Sequence, residues 1–257
     1  MKHIFDFTAA REYDRWFDDP PNRFVYDLEK EIILKLLSPR PRERLLDIGC
    51  GTGNHLRIFD DMGLDVTGID SSPYMLDIAR KKMGHRAEIR RGKAEDIPFE
   101  DNSFDIATLI NVLEFTDDPA RVIAEASRVA RERVFIGALN SFALKGIERR
   151  VKGIFKENIY NRARFFSVWG LHREARSVLG KVPVAWRTVH SFPAALRRYT
   201  GRLERWGLVQ RFPFGTFIGM IITLVPTYQT RNIELRVGYP KKRRNMAAGT
   251  IRDRIEG

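Results

Sequence analysis

Cysteine and long apolar runs are both scarce in this chain of 257 residues. The single cysteine, Cys50, excludes an internal disulfide and a zinc site built on cysteines, and we expect no metal site. The longest apolar stretch, residues 214–225, contains two glycines and is shorter than the roughly 20 residues that a membrane-spanning helix needs. Residues 1–10 hold no apolar run of signal-peptide length. These features predict a cytoplasmic protein that would touch a membrane only peripherally.

Acidic residues are scarce in the second half of the chain. Residues 1–140 contain 21 Lys and Arg against 26 Asp and Glu, whereas residues 141–257 contain 24 against 7. The two parts therefore carry net charges of −5 and +17. Such asymmetry indicates an anionic partner for the second part, which would be a phosphate- or carboxylate-bearing substrate, nucleic acid or an anionic lipid surface. A solvated basic surface without a specific partner is the alternative.

Short apolar runs alternate with amphipathic segments over the first 140 residues, a pattern typical of βα units and a parallel sheet. The pattern predicts five strands, at residues 44–48, 65–69, 87–90, 104–110 and 134–138. It predicts helices at residues 54–62, 72–82 and 118–130, and the second of these has Ser72 as its cap and Pro73 at its first position. We therefore expect an α/β protein with a doubly wound, mostly parallel sheet.

The pattern is less regular after Asn140. Residues 182–190 and 216–225 read as two more strands, which would complete a seven-strand sheet. Basic amphipathic helices are predicted at residues 145–156 and 193–206, and a further helix at 171–179. We expect residues 1–140 to form the α/β core, residues 141–239 to supply an inserted helical lid and the last two strands, and residues 240–257 to form a loose basic tail.

A glycine-rich turn follows the first predicted strand and carries the clearest signal. Gly49, Gly51 and Gly53 form a G-x-G-x-G pattern between a strand and a helix, where a ligand can approach the backbone closely. Asp70 ends the second strand, and the ends of neighbouring parallel strands face the same crevice. A carboxylate there is suited to bind the two hydroxyl groups of an adenosine ribose. A tight turn without a ligand is the alternative for the glycines alone.

The glycine spacing and a preceding acid distinguish between nucleotide ligands. Pyrophosphate-binding turns use G-x-G-x-x-G, with a helix N-terminus directed at the phosphates. Here the spacing is shorter, and Asp47 lies two residues before the first glycine. A carboxylate in that position would repel a pyrophosphate but suits a ligand with an ammonium group. S-adenosylmethionine carries an ammonium and a sulfonium and has no phosphate.

Three segments in this order resemble the class I S-adenosylmethionine-dependent methyltransferases, in particular the group related to ubiquinone and menaquinone methyltransferases. The segments are LLDIGCGTG (45–53), VTGIDSSPYMLDIAR (66–80) and GKAEDIPFEDNSFDIATLINVLEF (92–115). The resemblance extends over residues 5–140. It implies a Rossmann-like fold, S-adenosylmethionine as the methyl donor, and methyl transfer as the activity.

The resemblance also implies which residues bind the donor. Gly49, Cys50 and Gly51 would line its methionine part, and Asp47 would help to hold its ammonium. Asp70 would bind the ribose, and Asn111 would lie beneath the sulfonium. The remaining contacts would come from residues beside the ribose and the adenine, namely Ser71, Met75, Ala94 and Glu95.

Two positions depart from the pattern of this group. Lys93 stands where many relatives have aspartate or asparagine, so one adenine contact is not carried over. Phe115 stands where many relatives have histidine, so no acceptor chemistry is assigned to that position.

Methyl transfer from a sulfonium is an in-line displacement that depends mainly on alignment, and a general base is needed only for a poorly acidic nucleophile. Tyr13 is one candidate near the methyl group, because the segment AREYDRWFDDP (10–20) resembles the one that covers the donor; packing with Trp16 and Phe17 is its alternative role. Glu114 would face the acceptor or be a surface or capping carboxylate. His190 would be a base or a structural histidine. His55 is expected to be exposed or to cap a helix.

The acceptor is not specified by the sequence. We expect a small-molecule or lipid-like acceptor, which the basic second half allows to be anionic, with peripheral contact to an anionic membrane. An RNA or protein methyltransferase is the first alternative, although no RNA-binding module is recognisable. A protein that binds S-adenosylmethionine without turnover is the second alternative. The sequence leaves the oligomeric state open.

Overall fold

The computed structural model describes residues 6–142, 163–189 and 200–224. All of these residues belong to one compact unit, Met1–Pro226. Seven strands form a single sheet in the order β3-β2-β1-β4-β5-β7-β6. Their bounds are β1 Arg44–Ile48, β2 Asp65–Asp70, β3 Ala87–Arg91, β4 Phe104–Ile110, β5 Ala130–Leu139, β6 Val184–Val189 and β7 Phe217–Thr223. The predicted seven-strand α/β fold is confirmed.

Six α-helices are described around this sheet. They are α1 Phe7–Trp16, α2 Pro20–Leu37, α3 Asn54–Asp61, α4 Pro73–Met83, α5 Pro119–Val129 and α6 Val168–Leu179. Side-chain caps fix the start of several of them. Ser72 accepts the backbone N–H of Met75 at 3.5 Å, and Asp118 accepts that of Arg121 at 3.0 Å. A proline follows each of these caps at the first helical position, where its missing N–H costs nothing.

Two apolar clusters cover the two faces of the sheet. Leu28 of α2 and Phe59 of α3 pack on one face. Val122 of α5 and Leu171 of α6 pack on the other. Strands buried on both sides need nearly continuous apolar sequence, and every residue of β4 is buried. Helices on both faces make the sheet doubly wound.

The strand directions show which strand ends lie at the carboxyl edge of the sheet. Strands β1 to β5 are parallel, whereas β7 runs antiparallel to both β5 and β6. The first residue of β7, Phe217, pairs with the last residue of β5, Leu139. The chain that enters β7 therefore arrives at the carboxyl edge of the parallel strands. Ligands of doubly wound sheets bind at this edge, next to the point where the strand order reverses, here between β1 and β4.

The structure corrects two local predictions. The 18-residue helix α2, which covers β5, β6 and β7, was not predicted. The predicted helix at residues 193–206 is wrong at its C-terminal end, because a turn at Gly201 and Arg202 leads into a short 3-10 helix, Leu203–Arg205. Residues 193–199 and the predicted helix at residues 145–156 lie outside the described residues. The domain boundaries after residues 140 and 239 stay a prediction.

Candidate active site

The glycine turn leaves β1 at the carboxyl edge and is shaped by close contacts on two sides. Gly49 has a φ of +70°, and a Cβ there would lie 2.5 Å from Cγ2 of Val112, in the loop after β4. Gly51 has a φ of +54°, and a Cβ there would lie 3.6 Å from Cε1 of Tyr13. Side chains resist such backbone angles, and the first position has no room for one. The conformation of the turn and its close packing therefore require glycine at position 49 and favour it at position 51.

Asp70 joins the end of β2 to this turn. Its Oδ2 accepts the backbone N–H of Gly51 at 3.0 Å, and its Oδ1 accepts that of Ser72 at 2.8 Å. Each carboxylate oxygen can accept more than one hydrogen bond, so these contacts orient the group without using up its capacity. Asp70 is half-buried. The structure thus places a fixed carboxylate beside the turn, as the sequence predicts.

Asp47 lies beneath the turn as a buried acid. Its Oδ1 accepts the hydroxyl of Thr108 at 2.6 Å, and the side chain is 2% exposed. Burial, which the bond from Thr108 opposes and the negative charge of Asp70 reinforces, raises the pKa of Asp47 to about 7. A cation bound nearby would favour the charged carboxylate. This is the electrostatic setting that an ammonium group requires.

Asn111 begins the loop after β4 and has a φ of +55°. Its backbone N–H donates to the carbonyl of Gly137 at 2.9 Å, which fixes it at the end of the strand. Its side-chain Oδ1 is buried and has no hydrogen-bond partner among the described residues. Buried polar atoms are almost always paired, so an orphaned amide oxygen indicates a place for a ligand group. The partial negative charge of this oxygen would suit the positive charge of a sulfonium or an ammonium group.

The other predicted donor-site residues fall into three environments. The thiol of Cys50 points away from the turn, since a Cβ at Gly68 would meet its Sγ at 2.8 Å. The thiol is buried, which raises its pKa well above the usual range. Met75 is buried, while Ser71, next to Asp70, is exposed. Ala94 and Glu95 are half-buried, in a loop that the Gly92 N–H ties to the carbonyl of Asp70 at 3.1 Å.

Tyr13 approaches the turn from helix α1. Its ring is half-buried beside Gly51 and makes an edge-on contact with the ring of Phe17 at 5.3 Å between centroids. Both predicted roles are therefore compatible with its position, because the ring packs with Phe17 and also borders the turn.

Glu114 is buried, so the prediction that it could be a surface carboxylate is wrong. The side chain is 1% exposed, in a short 3-10 helix, Leu113–Phe115. Its Oε1 accepts the backbone N–H of Leu139 at 2.6 Å, which links the loop after β4 to the end of β5. Its Oε2 has no hydrogen-bond partner among the described residues. Burial raises the pKa of Glu114 to about 7, although the bond from Leu139 opposes this shift.

The two histidine predictions have different outcomes. His190 lies outside the described residues. The prediction that His55 is exposed or caps a helix is wrong, because the side chain is 6% exposed. Rings of Phe17 and Tyr26 cover it, with centroids at 6.3 Å and 5.6 Å. Burial and the positive charge of Lys82 lower the pKa of His55 to about 4, so it is neutral at ordinary pH.

An ion pair that the sequence analysis missed holds α1 over the turn. Lys82 of α4 contacts Oδ1 of Asp14 and Oδ1 of Asn54, each at 2.5 Å. These partners come from α1 and from the first position of α3, so the lysine connects three helices. Asp14 is adjacent to Tyr13, which makes Lys82 a positioning residue for that ring. No local sequence signal marks such a contact, because its members are 28 and 68 residues from Lys82.

Within the described ranges, no group of three or more His, Cys, Asp or Glu side chains could hold a metal ion. Over the same ranges, no helix has both the length and the apolar character needed to cross a membrane.

The residues at this edge fit S-adenosylmethionine by their chemistry. A buried acid with a raised pKa suits its ammonium, and a fixed carboxylate on the next strand suits its ribose. The unpartnered amide oxygen of Asn111 suits a positively charged group. Glycine at positions 49 and 51 allows the positive φ values of the turn that lies beside these groups.

Comparisons with known proteins agree with this chemistry. The profile of the methyltransferase domain family matches residues 46–136. An uncharacterized protein of Methanocaldococcus jannaschii is 36% identical over 64% of this chain and 75% of its own length. Phosphatidylethanolamine N-methyltransferase of Cereibacter sphaeroides is 30% identical over 65% of this chain and 81% of its own length. Several other curated relatives are matched over only 31% to 43% of their length.

The solved structures lead to the same family. The crystal structure of an S-adenosylmethionine-dependent methyltransferase from Thermotoga maritima has a TM-score of 0.66 and 27% sequence identity. The superposition covers 87% of this chain and 99% of that one. Because a named methyltransferase is 30% identical and matched over 81% of its length, and because the domain profile and the solved structure agree with it, the chain belongs to the S-adenosylmethionine-dependent methyltransferases.

Proposed function

We propose that this enzyme transfers the methyl group of S-adenosylmethionine to a lipid-like or other small lipophilic acceptor. The proposal that S-adenosylmethionine is the donor is supported by three groups that lie beside one glycine turn. These groups are Asp47, Asp70 and the unpartnered Oδ1 of Asn111. Residues 1–140 would hold the donor, and residues 141–239 would complete the sheet and cover the acceptor side.

The proposed donor-site roles rest on the resemblance to this family and are compatible with the positions of the groups. Bound S-adenosylmethionine supplies an electrophilic methyl group on a sulfonium. The backbone of Gly49, Cys50 and Gly51 would line its methionine part, and Asp47 would balance the ammonium. Asp70 would bind the ribose hydroxyls. The remaining proposed contacts are Asn111 near the sulfonium, Ser71 and Met75 beside the ribose, and Ala94 and Glu95 at the adenine.

Two residues are proposed for the acceptor side. Tyr13 borders the open turn, and its ring electrons would face the positive charge of the donor. Glu114 lies in the loop after β4, with one buried oxygen that has no partner in the described parts of the chain. A carboxyl group with a pKa of about 7 can hold or release a proton near neutral pH, which an amine acceptor would require. His190 stays a candidate from sequence only.

Two observations favour a lipophilic acceptor. A relative matched over 81% of its length is named for methyl transfer to phosphatidylethanolamine. In this chain, Phe142 and Trp169 are 54% and 60% exposed and lie 6.0 Å apart in an edge-on contact. Phe142 lies three residues after the end of β5, which places this aromatic pair at the carboxyl edge of the sheet. Exposed aromatic pairs beside a crevice are suited to apolar ligands.

The test uses the full chain with S-adenosylmethionine that carries a labelled methyl group. Separate reactions receive total lipid, total RNA and a protein extract, and the label is followed after organic extraction. Label in the lipid fraction is expected. Label confined to RNA or protein would contradict the proposal, as would tight donor binding without transfer to any fraction.

A variant pair makes the test specific. Asp70→Ala should abolish transfer, while Asp77→Ala, on the exposed side of α4, should leave it unchanged. Equal activity of the two variants would also contradict the proposed donor site.

A further inference from the structure

The segment that connects β6 to β7 exposes several large apolar side chains. Ten large apolar side chains are exposed among the described residues, and half of them fall within residues 203–214. These five, which we call the apolar patch, are Leu203, Trp206, Leu208, Phe212 and Phe214, with exposed fractions between 44% and 56%. Contiguous exposed apolar side chains mark interaction sites in soluble domains.

Two polar side chains of the same segment face inward, while its large apolar side chains face solvent. Glu204 and Gln210 are each 3% exposed, whereas their neighbours Trp206 and Leu208 face solvent. Gln210 donates from Nε2 to the carbonyl of Glu204 at 3.2 Å and accepts at Oε1 from Lys35 of α2 at 3.1 Å. This arrangement reverses the usual one, in which glutamate and glutamine face water. These hydrogen bonds therefore hold the segment in a defined conformation.

Side-chain bonds to the folded core also fix the end of the patch. The hydroxyl of Thr188 in β6 donates to the carbonyl of Phe212 at 2.5 Å. Asn140, directly after β5, donates from Nδ2 to the carbonyl of Pro213 at 2.6 Å and to that of Gly215 at 2.7 Å. The patch is therefore a built surface on the flank formed by α2 and β6. It continues to the carboxyl edge, where the donor site lies.

The charge around the patch is positive. Arg202, Arg205 and Arg211 are exposed, while the only acid between residues 200 and 224 is the buried Glu204. Arg205 pairs with Glu31 of α2 at 2.7 Å, while Arg202 and Arg211 are exposed at the patch. An apolar hollow of about 390 Å³ is lined by Trp206, Leu208, Val209 and Phe212, and Arg211 stands at its side.

We propose that the apolar patch docks this protein on anionic lipid bilayers. Trp, Phe and Leu side chains would insert at the level of the headgroups, and the arginines would contact lipid phosphates. A net charge of +12 opposes pairing with a second copy of this chain, and it favours a negatively charged surface. The inference goes beyond the proposed function, because docking does not require the methyl acceptor to be a lipid.

Vesicle flotation with the full chain tests the proposal. Vesicles of phosphatidylcholine with phosphatidylglycerol are compared with vesicles of phosphatidylcholine alone. The protein should float with the anionic vesicles and largely stay behind with the neutral ones. Trp206→Gln combined with Phe212→Gln should weaken flotation about tenfold or more, since two apolar side chains would no longer insert. Met62→Gln, an exposed apolar residue at the end of α3, is the matched control and should change nothing.

A second measurement separates docking from other causes. Donor binding by calorimetry and the unfolding temperature should be the same in the double variant and the wild type, so a loss of flotation reports on the surface alone. Equal flotation of the double variant and the wild type would overturn the proposal. A dimer at low salt that the double variant abolishes would also overturn it, because a second copy would then be the occupant. Failure of the donor site, by contrast, would show only in the calorimetry.

Discussion

The backbone N–H of Gly51 donates to Oδ2 of Asp70 at 3.0 Å, which joins the glycine turn after β1 to the end of β2. This bond holds the carboxylate toward the crevice before any ligand arrives. A preformed acceptor of hydrogen bonds needs no rearrangement to bind a ribose. The contact thus connects local backbone geometry to donor affinity.

The first prediction concerns Asp70→Asn. The variant keeps one oxygen for the N–H of Ser72 but turns an amide NH2 toward the N–H of Gly51, so two donors meet. We expect affinity for S-adenosylmethionine to fall about tenfold or more, because a charged acceptor of hydrogen bonds is lost. Calorimetry measures this, with Asp77→Asn on the outer side of α4 as the control. Unchanged affinity in Asp70→Asn would remove the ribose-binding role.

The second prediction is a pH dependence that comes from Asp47. Because burial raises the pKa of this acid to about 7, donor binding must first remove its proton below that pH. Affinity should therefore rise as the pH increases through about 7, and proton release should appear in calorimetry with buffers of different ionisation enthalpy. Asp47→Asn should bind more weakly and show a flatter pH dependence. Glu114→Gln, which alters another buried acid with a pKa of about 7, should keep the wild-type dependence. A pH dependence that survives in Asp47→Asn and disappears in Glu114→Gln would contradict the assignment.

Much of the sheet and the donor crevice could be predicted from sequence. The strands Arg44–Ile48 and Phe104–Ile110 have the predicted bounds, because each is rich in apolar residues and is followed by glycine or asparagine. The glycine turn and Asp70 were also predicted to meet, since strand order alone brings the ends of β1 and β2 together.

What could not be predicted depends on contacts between distant segments. His55 is covered by the rings of Phe17, just after α1, and of Tyr26 in α2, and α2 itself was not recognised. The helical spacing of Leu203 and Trp206 suggested a lid helix, but the described residues from Gly201 onward form turns and a short 3-10 helix that bury Glu204. A single sequence shows which residues are apolar, whereas the partners available in the fold determine which of them face inward.

The third prediction concerns the stability contribution of Glu114. An unfolded glutamate has a pKa of about 4.3, while burial raises the folded value to about 7. The folded state therefore keeps its proton longer, and the resulting stability is full below about pH 4 and is lost as the pH rises through about 7. Glu114→Gln stays neutral and can still accept the N–H of Leu139. Over this interval the wild type should lose roughly 3 kcal/mol of unfolding free energy relative to the variant.

Denaturant unfolding across this pH range measures the effect, and only the difference between the two proteins counts, because Asp47 contributes a similar trend to both. A difference that is constant with pH would show that Glu114 is not buried as an acid. Measuring turnover tests the proposed chemical role of Glu114 separately from its effect on stability. If Glu114 accepts a proton, kcat of Glu114→Gln should fall while donor affinity stays the same.

The last prediction addresses the close approach of the glycine turn to the loop after β4. A Cβ at Gly49 would lie 2.5 Å from Cγ2 of Val112, and the φ of +70° is unfavourable for alanine. Gly49→Ala should therefore destabilise the protein by roughly 2 to 4 kcal/mol, from backbone strain together with overpacking. Val112→Ala removes the methyl groups that cause the clash. The double variant Gly49→Ala with Val112→Ala should recover the overpacking part and keep the cost of the backbone angle. A double-mutant cycle of unfolding free energies gives this coupling directly, and strict additivity of the two substitutions would mean that the turn and the loop are not in contact.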